Sequence, residues 1–171
     1  MKRLLSFLLP IAVMLSSCKD NLQITGTSTV AELDGKTLQQ VEGLLHLLNP
    51  GAGAIEAGRL ARLIEEGRLM LFVAESAMVP EAGMLTGMLT LSICPTLAQD
   101  KLWIEDVIVD DSCRGKGIGR ALVQAAVAYA ASAWPGNTLY LTSNPARQAA
   151  RALYASEGFE QYETGVFRMK L

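Results

Sequence analysis

Residues 107–122 read VIVDDSCRGKGIGRAL, a short apolar run that enters a glycine-rich loop and then an alanine-rich helical pattern. A strand that passes through such a loop into a helix is suited to holding phosphate. The free N–H groups of the loop and of the first helical turn converge on one point, with the positive end of the helix dipole behind them. Glycine allows close approach of a ligand because it has no Cβ atom. The stretch therefore predicts a phosphate-binding loop over residues 114–119.

The spacing of the glycines distinguishes this loop from two common nucleotide-binding motifs. A P-loop needs Lys-Ser/Thr after its last glycine, whereas Arg120 and Ala121 follow Gly119. The dinucleotide fingerprint is also excluded, because the third glycine of that pattern is missing. The loop resembles instead the Arg-x-x-Gly-x-Gly element of the GNAT acetyltransferase family, in which it binds the pyrophosphate of acetyl-CoA. The alternative is an ordinary glycine turn before a helix, without a ligand.

Three further pieces, in the order expected for that family, strengthen the resemblance over residues 37–171. Trp103-Ile104-Glu105-Asp106-Val107 resembles the acidic start of the central strand. Asn144 matches an asparagine that often contacts the cofactor. Leu153-Tyr154 followed by Gly158-Phe159 is similar to the tyrosine helix that precedes a glycine–aromatic pair. The resemblance implies an acetyl-CoA-dependent N-acetyltransferase that uses acetyl-CoA as co-substrate and requires no metal.

The resemblance also implies which residues hold the cofactor. The strand end would pair with the pantetheine arm and polarise the thioester carbonyl through its main chain, the loop and first helical turn would bind the pyrophosphate, and one asparagine would follow the next strand. The expected cofactor-binding residues are Val107, Ile108, Val109, Arg114, Gly115, Lys116, Gly117, Ile118, Gly119, Arg120 and Asn144.

Catalysis requires a base for the attacking amine and an acid for the departing thiolate. Glu105 or Asp106 would be the base, through water, and alternation along a strand predicts that only one of them faces the cleft. We favour Glu105, although both carboxylates could simply be solvated or paired with a cation. Tyr154 would protonate the thiolate, because a phenol with a pKa near ~10 is a suitable donor at neutral pH. The alternative is a tyrosine that only closes the core.

Composition excludes several other classes of protein. A formal net charge of −2 argues against binding of nucleic acid through a basic surface. The single histidine, His46, and three scattered cysteines give no cluster with zinc-ligand spacing. Cys113 is interpreted as a loop residue rather than a nucleophile, because no histidine lies near it in sequence. With 171 residues, half of them hydrophobic, the chain can form one domain with a sizeable core.

The N-terminus resembles a bacterial lipoprotein signal peptide over residues 1–18. Lys2 and Arg3 precede an apolar run that is too short to span a bilayer, and Leu15-Ser16-Ser17-Cys18 resembles a lipobox. Cys18 would then carry lipid and tether the protein to the membrane. Acetyl-CoA is expected in the cytoplasm, so the alternative is a cytoplasmic enzyme whose N-terminus only imitates a signal.

The order of elements predicts a mixed α/β fold with a mostly antiparallel sheet, a splayed strand pair and helices on both faces. Residues 19–36 are a linker or a first strand at Leu22–Thr25. A Thr37–Gln40 capping box opens the first helix, and Asn144 at the N-cap with Pro145 opens the last. The other predicted helices span residues 55–67 and 118–133, and the other strands span residues 69–75, 83–94, 102–109, 138–142, 159–163 and 166–170.

The sequence therefore predicts an enzyme that transfers an acetyl group to a primary amine, with a small molecule favoured as acceptor. The competing hypothesis is a lipid-anchored binding module that keeps the fold without the reaction. The acceptor itself is not encoded in a recognisable motif. Dimers are common in the family, which makes a homodimer a further expectation.

Overall fold

The computed structural model describes residues 22–27, 34–76 and 83–170. The predicted signal peptide with Cys18 lies outside these residues. Within the described part, no helix is both long enough and apolar enough to cross a membrane.

Five strands and four helices make up the described part of the chain. The strands are β1 (Leu22–Thr27), β2 (Leu69–Ser76), β3 (Leu85–Cys94), β4 (Lys101–Val109) and β5 (Leu139–Leu141). The helices are α1 (Gly35–Leu48), α2 (Ala57–Glu65), α3 (Ile118–Ala133) and α4 (Gln148–Ser156), and a single 3₁₀ turn covers Asp111–Cys113.

The strands form one sheet in the order β1-β2-β3-β4-β5. The first four are antiparallel to their neighbours, and β5 runs parallel to β4. Within the segment 19–36, residues 22–27 form the first strand β1, and residues 19–21 and 28–33 lie outside the described part. A parallel neighbour needs a crossover connection, and α3 supplies it between β4 and β5.

Helices cover both faces of the sheet, as the sequence predicts. α3 packs against one face, where Leu89, Leu91 and Ile104 meet Leu122 and Val123 in a core that the solvent hardly reaches. α1 packs against the other face, where a second core contains Val41, Leu44, Leu71, Val73, Met88 and Ile108. The fold-class prediction of a mixed α/β protein with a mostly antiparallel sheet is confirmed.

Gly87 marks the closest approach between two strands of the sheet. A Cβ atom at this position would lie 2.9 Å from the carbonyl oxygen of Ile108 and 3.2 Å from Leu122. No L side chain fits at such a distance without moving the main chain of β4. The glycine that interrupts the alternation of β3 is therefore required by packing across the sheet.

Two predicted helix starts were wrong. α1 is capped by Asp34, whose carboxylate accepts from the Thr37 N–H at 2.7 Å, so Thr37 lies inside the first turn. Gln40 does not close a capping box: its amide accepts from the N–H of Leu85 and donates to Gly83, and so links α1 to the start of β3. Hydrogen bonds to residues distant in sequence thus engage the Gln40 side chain that a capping box would need.

The last helix begins later than predicted. Pro145 lies in a turn, Arg147 is the N-cap residue and α4 starts at Gln148. The side-chain oxygen of Asn144 accepts from the N–H of Ala146 at 2.9 Å. Asparagine forms such turns readily, so a local turn replaces the expected first turn of the helix.

The predicted final strand pair, residues 159–163 and 166–170, was also wrong. Residues 159–170 contain no strand, and Val166 and Phe167 are almost fully exposed. The neighbouring β5 has only three residues, which leaves a very short edge for a further strand. Alternation and a turn signal are not sufficient where the partner edge is this short.

Candidate active site

The pairing between β4 and β5 stops early, and we call the region beside the unpaired second half of β4 the gap. The two strands pair over only three residues each, from Leu102–Leu139 to Ile104–Leu141. Beyond that point β4 continues to Val109 while β5 has ended. The main-chain groups of the second half of β4 on that side are therefore free of a strand partner, and an extended ligand could pair with them.

A β-bulge lies in β4 beside this gap. Thr90 is opposite Glu105 and Met88 is opposite Ile108, so two residues of β4, Asp106 and Val107, stand against one residue of β3. Asp106 has φ of 48°, in the left-handed region. This region is unusual for a residue other than glycine and is tolerated best by Asn and Asp.

The bulge changes the face of the sheet to which the even-numbered side chains of β4 point. Before it, Leu102 and Ile104 point into the core under α3, whereas after it Ile108 points into the core under α1. The alternation of even and odd positions is therefore broken between Glu105 and Val107. The bulge also bends β4 away from a regular ladder at the point where β5 ends.

Both acidic residues of the bulge lie on the same side of the sheet. Residues directly opposite each other in a ladder share a face, so Glu105 is on the face of Thr90. Thr90 Oγ1 donates to Asp106 Oδ2 at 2.9 Å, so this carboxylate is on that face too. The regular alternation that the prediction assumed is therefore broken at the bulge, and which of the two carboxylates faces the cleft stays a prediction.

The pair has an electrostatic consequence for Glu105. Desolvation by the surrounding residues raises the pKa of Glu105, and the nearby negative charge of Asp106 raises this pKa further. A carboxylate with a raised pKa is a stronger base than an ordinary surface glutamate. Thr90, which holds Asp106 in place, had no recognisable signal in the sequence.

The main chain of the glycine loop is open at two of its glycines. Gly115 and Gly117 have φ of 77° and 81°, and apart from their chain neighbours no atom lies within 4 Å of a Cβ placed on either. Gly117 is the N-cap of α3 and offers no side chain to the helix, so the first N–H groups of α3 stay free of a capping side chain. Gly119 instead packs closely against Val109 and Leu153.

The three cations expected at the loop have different surroundings. Arg114 is exposed and forms an ion pair with Asp111, and Lys116 is exposed on the loop. Arg120 points elsewhere: its guanidinium pairs with Glu157 at 2.8 Å and donates to Ser156 at 3.2 Å. The side chain of Arg120 therefore links α3 to α4, and the assignment of Arg120 to the cofactor stays a prediction.

Arg147 reaches across the gap from the start of α4. Its Nη2 donates to the carbonyl oxygen of Val107 at 3.2 Å, which shows that this carbonyl faces the gap. Sequence patterns did not single out Arg147, because nothing local links it to β4, 40 residues away. An extended ligand that pairs with Val107 would have to replace this contact.

Tyr154 lies on α4 and is buried in the core under α3, where its ring meets Phe159 edge to face. Burial raises the pKa of Tyr154, and the charge of Arg147 partly offsets this rise. The phenol therefore keeps its proton at neutral pH, which an acid for a departing thiolate requires. The exposed Asn144 lies in the turn before α4, with its side-chain oxygen engaged by Ala146.

Two of the three cysteines, Cys94 and Cys113, and the histidine lie within the described residues. Cys94 is exposed, Cys113 is buried, and both are free thiols, so the pair forms no disulfide. His46 is exposed on α1 and contacts the carbonyl oxygen of Ala52. Within residues 22–27, 34–76 and 83–170, no group of three or more His, Cys, Asp or Glu side chains could hold a metal ion.

Solved structures share this fold. An acetyltransferase from Trypanosoma brucei is 24% identical with a TM-score of 0.68, and the match covers 88% of this chain and 99% of that one. A glucosamine-6-phosphate N-acetyltransferase from Arabidopsis thaliana is 18% identical with a TM-score of 0.65, covering 86% and 97%.

A third structure is an aminoglycoside N-acetyltransferase in complex with CoA. It is 18% identical with a TM-score of 0.68, covering 88% of this chain and 95% of that one. A comparison with curated proteins found no match.

The sequence pattern of the acetyltransferase (GNAT) family matches residues 44–159, which is more than half of the chain. The matched range contains β4 and β5, the bulge, the glycine loop and Tyr154. With the sheet order and the gap described above, this match shows that the chain belongs to the acetyltransferase (GNAT) family, a family of acyltransferases.

Proposed function

We propose that this protein transfers the acetyl group of acetyl-CoA to a primary amine of a small molecule by direct attack. The observation that carries the proposal is the gap between β4 and β5, which ends at the uncapped start of α3. Together they offer main-chain pairing for a pantetheine arm and a phosphate site at its far end.

The residues around the gap fit this co-substrate. The space around the Cβ positions of Gly115 and Gly117 is empty, so phosphate oxygens could approach the main chain. Arg114 and Lys116 add positive charge beside it. Acetyl-CoA would supply the activated acetyl group as a thioester, and the family as well as the CoA-bound relative support this assignment.

A small amine is favoured as acceptor for two reasons. Two of the structural relatives are named for small amines, an aminoglycoside and glucosamine 6-phosphate. In this chain Glu105 and Asp106 give the open face beside the gap a negative charge, which attracts a protonated amine. The bulge thus combines attraction of the acceptor with a base for its proton.

In the proposed reaction the amine nitrogen forms a bond to the thioester carbonyl carbon while the carbon–sulfur bond breaks. Glu105 takes the proton from the amine through water, and its raised pKa makes this transfer easier. Free main-chain N–H groups at the end of β4 would stabilise the developing oxyanion. Tyr154 gives its proton to the departing thiolate.

The proposal is tested with the full chain, acetyl-CoA and a panel of primary amines, with release of free thiol as the readout. We expect thiol release that depends on both the enzyme and the amine. Replacement of Glu105 by Gln should lower the rate, whereas the same change at the exposed Glu160 should leave it unaltered.

The outcome that contradicts the proposal is binding of acetyl-CoA without turnover across the panel. That result would support the alternative of a binding module that keeps the fold. Absence of any binding, measured by calorimetry, would refute the phosphate site as well.

A further inference from the structure

A row of aromatic side chains lies on the sheet beside the proposed catalytic carboxylates. Trp103 of β4 and Tyr140 of β5 are ladder partners, and their rings are stacked with centroids 5.1 Å apart at 29°. Tyr162, which follows α4, meets Tyr140 edge to face at 6.5 Å. We call Trp103, Tyr140 and Tyr162 the aromatic row.

The aromatic row is on the face opposite α3. Leu102, Ile104, Leu139 and Leu141 pack against the core under α3, and side chains alternate along a strand. Trp103 and Tyr140 therefore point to the other face, and neither belongs to a hydrophobic core of the described residues.

The helix on that face leaves the row partly open. α1 covers the end of β4 at Ile108, where the second core lies, whereas Trp103 is near the start of the strand. Trp103 and Tyr140 are partly exposed, and Tyr162 is 73% exposed. In the stacked pair the facing ring surfaces cover each other and Tyr162 meets Tyr140, so the face available to a ligand is the outer face of Trp103.

Charged residues of opposite sign lie on the two sides of the aromatic row. Glu105 is two residues after Trp103 on the same face, a separation of about 7 Å along a strand. The bulge adds Asp106, held by Thr90. Lys101 is two residues before Trp103, on the same face, and is exposed. A cationic ligand is therefore repelled on the Lys101 side of the row and attracted on the side of Glu105 and Asp106.

We propose that the aromatic row is the acceptor subsite, and that it selects amines with a second ammonium group on a compact apolar ring. One amine would lie at Glu105 for acetylation while the other, with the ring, lies against the outer face of Trp103. An ammonium group over an exposed aromatic face gains cation–π energy that a monoamine at Glu105 does not. This inference rests on the proposed function, because it names the acceptor class of the same site.

The test compares two probes that differ only in the second amine. One is cyclohexylamine and the other is the cis-diamine with amino groups on alternate carbons of the same ring. We expect the full chain to bind the diamine more tightly by calorimetry, in the presence of CoA, and to acetylate it with a higher kcat/KM. The gain expected from one exposed cation–π contact is about three- to fivefold.

Substitutions at Trp103 test whether the preference for the diamine depends on the aromatic row. Trp103→Leu should abolish the diamine preference, and Trp103→Phe, which keeps an aromatic face, should retain most of it. Phe167→Leu is the matched control, because Phe167 is 97% exposed and lies outside the row. Equal affinities for the two probes in the wild-type protein, or a preference that survives Trp103→Leu, would overturn the proposal.

The two proposals fail in different ways. If neither probe is acetylated but the diamine binds through Trp103, the subsite stands and the proposed reaction does not. If both are acetylated with the same kcat/KM, the reaction stands and the subsite is refuted.

Discussion

Asp106 shows how one residue sets the chemistry of another. Its left-handed main chain forms the bulge, and its carboxylate raises the pKa of Glu105 on the same face. Glycine would permit the same main chain but would remove the charge. An acidic residue that tolerates φ of 48° therefore serves the geometry and the electrostatics together.

Asp106→Asn separates these two roles. Asparagine tolerates the left-handed region, so the bulge should persist, while the loss of the negative charge lowers the pKa of Glu105. A raised carboxyl pKa delays deprotonation, so its lowering should move the rise of kcat/KM with pH to lower pH. The measurement is the pH profile of acetylation, with Glu105→Gln as the variant in which the rise is flattened. A profile unchanged by Asp106→Asn would contradict the coupling.

Tyr154→Phe tests whether Tyr154 is the general acid that protonates the departing thiolate. The ring contact with Phe159 is kept, so the core should be preserved while the proton donor is lost. We expect kcat to fall by about ten- to a hundredfold or more, with acetyl-CoA affinity near normal. Tyr129→Phe is the control, because Tyr129, a residue of α3, is buried in the same core but packs on Phe72 and Trp134. Equal turnover in both variants would remove Tyr154 from the mechanism.

At the scale of the element, phosphate binding at the start of α3 can be tested separately from the effect of a substitution on protein stability. Gly117 and Gly136 lie at opposite ends of α3, with φ of 81° and 84° and no atom within 4 Å of a Cβ on either. Replacement of either by Glu should cost a similar 1–2 kcal/mol of unfolding free energy, about the strain of a left-handed L residue. Only Gly117→Glu places a negative charge in the proposed phosphate site.

We therefore expect Gly117→Glu to abolish acetyl-CoA binding and Gly136→Glu to leave it intact. Calorimetric titration with acetyl-CoA gives the affinity, and thermal unfolding gives the stability of each variant. The loop assignment is refuted if Gly117→Glu binds as tightly as Gly136→Glu does.

The elements also show what local sequence can and cannot predict. The bounds of α3 were predicted correctly, because a glycine N-cap and a Trp-Pro-Gly stop are local signals. The bulge at Asp106 was missed, since it depends on the register between β3 and β4. The final hairpin was wrong for a related reason: Phe167 and Met169 alternate with Arg168 and Lys170, but a strand forms only where an edge is available. Strand pairing between residues distant in sequence cannot be predicted from a short segment of sequence.

For the whole molecule, the order of the strands determines how a lipid anchor would present the site. β1 and β5 are the opposite edges of the sheet, and the gap lies between β4 and β5. Three residues separate Cys18 from Leu22 at the start of β1, a reach of about 13 Å when extended. We propose that lipid on Cys18 would hold the β1 edge near the bilayer and leave the gap, three strands and about 14 Å further, open to small solutes.

Processing of the N-terminus decides whether this arrangement exists. In a bacterial host, the full chain should incorporate labelled fatty acid, and Cys18→Ala should abolish the label because the lipidated thiol is gone. Cys94→Ala is the matched control, because Cys94 is an exposed thiol on β3 and should leave labelling unchanged. Globomycin, which blocks the lipoprotein signal peptidase, should cause a larger precursor to accumulate. A chain that stays unlabelled and of constant size would instead be the cytoplasmic enzyme, with direct access to acetyl-CoA and an N-terminus that only imitates a signal.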